Sequence, residues 1–169
     1  MIYKGNLNGK IILIGECLGE EEAAKQQPFV GESGKELHKM LAEAGISISD
    51  CLFCNVLSFK PKTGKSSDLF YRKIKAKANN AEEYIGLYVD PLIIKHVEKA
   101  KTFLRDKNPN VIIALGNIPL WALTGLGVER SSAAPAGITK WRGSVIYADG
   151  RKVIPTYNPA GILRAWDRR

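Results

Sequence analysis

"KIILIGE", residues 10 to 16, is the stretch whose reading decides the fold. Its aliphatic residues run unbroken from Ile11 to Ile14 and stop at Gly15, the pattern of a strand buried on both faces of a parallel sheet. Two runs of the same kind follow, "CLFCNVLSF" at 51–59 and "NVIIALG" at 110–116. A fourth is the second arm of "WRGSVIYADGRKVIPTY" (141–157), a hairpin turned at Asp149-Gly150. Helices fill the gaps. Ser33 opens a capping box with Glu36, and Leu37, Met40, Leu41 and Ala44 recur at helical spacing until Gly45. Asp90-Pro91 is an N-cap and first-turn pair, followed by an apolar stripe reaching about Asp106. "NIPLWALTG" (117–125) reads as a short helix closed by Gly125. Strands alternating with helices predict an α/β fold, a three-layer α/β/α sandwich around a four-stranded, mainly parallel central sheet, with ligands gathering where strands end and loops begin.

The 169 residues are the length of one domain, 1–169, able to bury a single core. A hydrophobic fraction of 45% and a charged fraction of 25% are those of an ordinary soluble protein. No apolar run is long enough to span a bilayer, so no membrane partner is expected. The N-terminus lacks an apolar signal core, and three cysteines, an odd number, argue for a reducing cytoplasm rather than a disulfide framework. The net charge of +8 suits a polyanionic partner. The charge is concentrated: Lys60 to Lys77 carries seven Lys or Arg against one Asp, within a basic insert at about 60–89. Either it tracks phosphates or it is a solvated linker or helix face. "PKTGKSS" (61–67) has the tail of a phosphate-binding P-loop, but the first required glycine falls at Phe59.

Three strand ends then line up: "IGECLGEEEAAKQQPFVGESG" after the first, Asn55 in the second, and "TYNPAGILR" after the last. With the Leu115-Gly116 step, these motifs resemble, in order and over nearly the whole chain, the uracil-DNA glycosylase superfamily, most closely its bacterial and archaeal family four. The resemblance implies hydrolysis of the N-glycosidic bond of uracil, or of a related modified base, in single- or double-stranded DNA. The other reading, from a different class, is a catalytically silent DNA-binding module that keeps the fold and the basic face but not the rate.

Cutting a base from its sugar requires everting the nucleotide, stacking the base, reading its polar edge, and stabilising an oxocarbenium-like sugar and a departing anion. Phe29 lies in a loop between Pro28 and Gly31 and by similarity stacks on uracil. Asn55 offers a donor and an acceptor from one amide, the complement of uracil's O4 and N3–H edge, or else is a satisfied structural Asn. By resemblance Glu16 and Glu22 line the pocket and hold or polarise the attacking water; a carboxylate also stabilises a cationic sugar. Asn158 stands where the family usually has the His that donates to the uracil carbonyl, and its amide retains a donor. The resemblance makes Ile162 or Leu163, on the loop into the last helix, the wedge that fills the gap left by the base, unless the pair only buries the helix start. Arg164 is the phosphate contact, with Ser33, Lys60, Lys62 and Lys65 as further DNA-binding candidates.

Several departures bear on function. Family four holds an iron-sulfur cluster on four cysteines; here no Cys precedes Ile11, and Ser58-Phe59-Lys60 occupies the place of another, so no metal and no cofactor are expected. Cys51 and Cys54 are an odd offset apart on a strand and point to opposite faces. Cys17-Leu18 replaces Ala-Pro in the first motif. One branch of the superfamily traps the freed sugar through a His in a basic loop, but His38 and His96 lie in helices outside the insert. The chain stops at "AWDRR", where the family continues into a full closing helix, which implies a monomeric fragment or leading domain of a larger replication or repair protein, bacterial or phage-encoded and acting in the host cytoplasm.

Overall fold

The structure, a computed structural model, describes residues 1–129 and 132–166. In chain order its elements are β1 (Tyr3–Gly5), β2 (Ile11–Cys17), α1 (Glu20–Lys25), α2 (Glu32–Glu43), β3 (Cys51–Leu57), β4 (Phe70–Tyr71), α3 (Lys73–Ala76), β5 (Glu82–Tyr84), β6 (Leu87–Val89), α4 (Pro91–Arg105), β7 (Val111–Leu115), α5 (Asn117–Thr124), α6 (Ile138–Trp141), β8 (Ile146–Ala148), β9 (Arg151–Thr156) and α7 (Pro159–Trp166). The closing residues 167–169, on which the reading of a cut-short last helix rests, lie outside the described residues.

The α/β expectation holds, but the main sheet has six strands rather than four, in the order β1-β3-β2-β7-β9-β8. Its centre, β3-β2-β7-β9, is parallel and is made of the four strands read from the sequence. The two extra strands are short antiparallel edges. The β8 edge is the first arm of the hairpin turned at Asp149-Gly150, as the sequence predicts, whereas β1, three residues with none fully buried, leaves no apolar run to read.

Alternation along β2 builds the layers, because successive side chains of a strand point to opposite faces. Ile12 and Ile14 pack with Ile93 and Val97 of α4 and Ile118 and Trp121 of α5. Leu13 and Phe53 pack on the other face with Leu37 and Leu41 of α2. Asp90 caps α4 as expected, its side chain accepting from Leu92 N–H, and Gly125 closes α5 in the left-handed conformation.

Two local readings are corrected. Ser33 does not cap α2, which starts at Glu32 behind an extended Gly31. The basic insert is not a bare linker: β4, β6 and β5 form a three-stranded antiparallel sheet whose Phe70, Leu87 and Val89 join the main core. Trp121 ties it down, donating its indole N–H to Ile85 O at 3.0 Å with the Phe70 ring at 5.3 Å, edge to face.

Candidate active site

Strand order reverses between β2 and β7: the chain leaves β2 for β3 on one side and returns to β7 on the other. Crevices at such a point, outside the carboxyl ends of parallel strands, are where open α/β sheets bind ligands. Glu16 bridges this one. It sits at the end of β2 and accepts a 3.1 Å hydrogen bond from Asn117 N–H at the first turn of α5. Its other oxygen accepts from Ser66 Oγ at 3.3 Å. Gly116, at φ 107°, makes the approach possible, since a Cβ there would strike Glu16 Oε1. Burial raises the Glu16 pKa above the ordinary carboxyl value, opposed by the backbone N–H groups of Ile118 and Asn117, the Ser66 hydroxyl and the Arg164 charge.

Gly15, one residue back, is in register with Asn55 of β3. Its missing side chain lets two functional groups meet: a Cβ at Gly15 would strike Asn55 Oδ1 and lie 2.7 Å from Phe29 Cζ. Asn55 is 4% exposed and lines the cavity. A buried amide is costly unless its donor and acceptor are met, and a ligand in the cavity can meet them.

Phe29 occupies φ 54°, a left-handed conformation that is strained for a bulky residue. Glu22 Oε1 holds it there by accepting from the next two N–H groups, Val30 at 3.1 Å and Gly31 at 2.8 Å. Glu22, itself 7% exposed, thereby fixes the entry into α2 from α1, meeting the N–H of the cap residue Gly31. Asn158 caps α7, its Oδ1 accepting from Ala160 N–H at 3.0 Å. With the oxygen engaged, its NH2 group is left as a donor.

These groups share one cavity of about 630 Å³, which Glu16, Glu22, Phe29, Ser33, Asn55, Lys65, Asn158 and Arg164 all line. Lys60, Lys62, Ile162 and Leu163 do not line it. Lys60 pairs with Glu20, and Lys62 is exposed. Ile162 and Leu163, expected on a loop, are half-buried inside α7, because the helix begins directly at Pro159 behind the Asn158 cap. The sequence reading missed Cys17, Thr63, Gly64, Ser66 and Ser67 as lining residues. Only the glycine and hydroxyls of "TGKSS" hinted at the last four. Leu18, which replaces a proline of the motif, donates its N–H to Phe59 O at 3.1 Å, a bond proline cannot make.

A family model described as the uracil DNA glycosylase superfamily matches residues 2–169. The chain belongs to that superfamily. It is 32% identical over 166 residues to the type-4 uracil-DNA glycosylase of Thermotoga maritima, covering 97% of this chain and 71% of the relative. The type-4 uracil-DNA glycosylase of Archaeoglobus fulgidus is 28% identical over 165 residues, covering 94% and 69%. Within this uracil DNA glycosylase fold the three cysteines do not fit the iron-sulfur cluster that the family-four resemblance implies. Cys51 and Cys54 are buried in the cores on opposite faces of the sheet, and burial pushes the Cys54 thiol up to about 12. Cys17 lines the cavity instead. Among the described residues no group of three or more His, Cys, Asp or Glu could hold a metal ion.

Proposed function

We propose that the chain is a monofunctional DNA glycosylase that hydrolyses the bond between uracil, or a closely related base, and deoxyribose in DNA, leaving an abasic site. The observation that carries this reading is the convergence of the buried Asn55 side chain with Phe29, Asn158 and Glu16 on one cavity. Asn55 donates to O4 and accepts from N3–H of an everted uracil. Phe29 packs on the face of the base. The glycosidic bond breaks with its electron pair departing onto the base, and the Asn158 NH2 donates to the carbonyl where that charge grows. Glu16, held near the sugar, stabilises the cationic C1′ and takes the proton of the water that adds there; the base anion is protonated from solvent.

The reading assigns Glu22 to the Phe29 loop, and Arg164 and Lys65, at the rim, to phosphates. Water is the only co-reactant, and we assign no cofactor. The reading takes the chain as a monomer acting on DNA in a bacterial or phage-infected cytoplasm, supported by the uracil DNA glycosylase family match. Association with replication proteins rests on the family resemblance alone. The test is release of free uracil from a uracil-containing single strand by the parent and by Glu16→Gln. Release by the parent and not by the variant is expected. Salt-sensitive binding with no release by either would instead favour the silent binding module.

A further inference from the structure

We propose that Ser66, in the basic insert, is a positioning residue for Glu16, so that the loop at 63–67 completes the active site rather than only touching DNA. This inference rests on the glycosylase reading of Glu16. Asn117 N–H fixes one carboxylate oxygen; by itself that leaves the group free to turn about the single bond. The Ser66 hydroxyl, donating to the other oxygen at 3.3 Å, removes that freedom. Ser66 is one of three buried polar residues in the described core, with Glu22 and Asn55, and both of those line the same cavity. The rest of the loop does not bury: Thr63, Gly64, Lys65 and Ser67 are exposed while bordering the cavity. Only Ser66 turns inward. A hydroxyl buried against a carboxylate has an unambiguous sense, since the ionised carboxylate only accepts.

The other charged or titratable groups around Glu16 are Arg164 from α7, which favours the ionised form, and Cys17 on its own strand. The Cys17 thiol is pushed up to about 11, chiefly by burial, and stays neutral at physiological pH. Glu22 and Lys65 line the same cavity. Losing the Ser66 donor therefore removes one of the groups that support the charge and leaves the Ile118 and Asn117 N–H groups and Arg164 to hold it.

Two measurements test this. In the first, single-turnover uracil release is followed against pH for the parent, Ser66→Ala and Ser66→Thr. Ser66→Ala is expected to lose roughly ten- to hundredfold in rate, the scale of one hydrogen bond to a charged group. Its acid limb should move to higher pH while DNA affinity stays unchanged, and Ser66→Thr should retain both properties. In the second, the Glu16 side-chain carboxyl is titrated by carbon-13 NMR in the parent and in Ser66→Ala. The expected result is a higher pKa in the variant, whether or not the parent releases uracil. A parent that releases no uracil would overturn the glycosylase reading alone. An unmoved Glu16 titration in Ser66→Ala, or a rate loss with an unmoved acid limb, would overturn the positioning role.

Discussion

At the scale of single residues, the site holds buried polar groups and a strained Phe29 around one cavity. Glu16 is ionisable and desolvated, so its pKa lies above the ordinary value. In the proposed mechanism ionised Glu16 is the active form, so the rate should fall as pH drops through that raised value, with an acid limb higher than an exposed glutamate would give. The same shift has a stability consequence of opposite sense. The folded chain holds this proton more tightly than the unfolded chain, so ionisation costs stability, beginning as pH rises past the ordinary carboxyl value of about 4.3. Glu16→Gln should therefore lose about 10²- to 10⁴-fold in rate, yet unfold at pH 7 no earlier than the parent. Thermal melts at pH 4 and pH 7 check this; a variant that is less stable at pH 7 but not at pH 4 contradicts it. Gly15→Ala is expected to cost on the order of 10²-fold in rate, since the new methyl pushes on Asn55 and Phe29 together, without large loss of stability.

At the scale of elements, the four strands that carry the site were legible because each is an apolar run bounded by turn residues. The rest was hidden for specific reasons. Strand β4 has two residues and β1, β5 and β6 three each, too few to show a period, whereas β8 was legible through the Asp149-Gly150 turn of its hairpin. The start of α2 was misread because the N–H of its cap residue Gly31 is met from outside the helix, by Glu22 of α1, and no local capping pattern reports that. Ser66 was missed for the same reason: its partner is fifty residues away in sequence. Phe29 and Asn55, by contrast, were legible by resemblance, and their residue types fit the task. Glu22→Ala should destabilise the fold by about 2–3 kcal/mol, because it leaves two N–H groups without their charged acceptor. Denaturant unfolding measures this. Glu22→Gln, which keeps an acceptor, should lose less.

At the scale of the whole molecule, topology turns distant motifs into a site. Residues 16, 55 and 116 lie at the ends of adjacent parallel strands, and Asn158 follows the next one, so their convergence is a property of strand order that spacing along the chain does not reveal. The chain carries a net charge of +8, and the insert holds Lys65, which lines the cavity, and the exposed Lys62. Affinity for single-stranded DNA should fall linearly with salt on logarithmic axes. Replacing both lysines by Ala should flatten the slope by about 1.4, or about 0.7 for each phosphate that is no longer neutralised. Titrations at several salt concentrations decide it.

The central claim is that Phe29, Asn55 and Asn158 enclose one everted base. It is tested most directly by following the side-chain amide NMR signals of Asn55 and Asn158 in Glu16→Gln as a uracil-containing strand is added. Both signals should shift with a single saturation curve, and the matched strand carrying an abasic site should leave Asn55 unmoved. An Asn55 signal that ignores the uracil strand, or responds equally to both strands, would contradict the account.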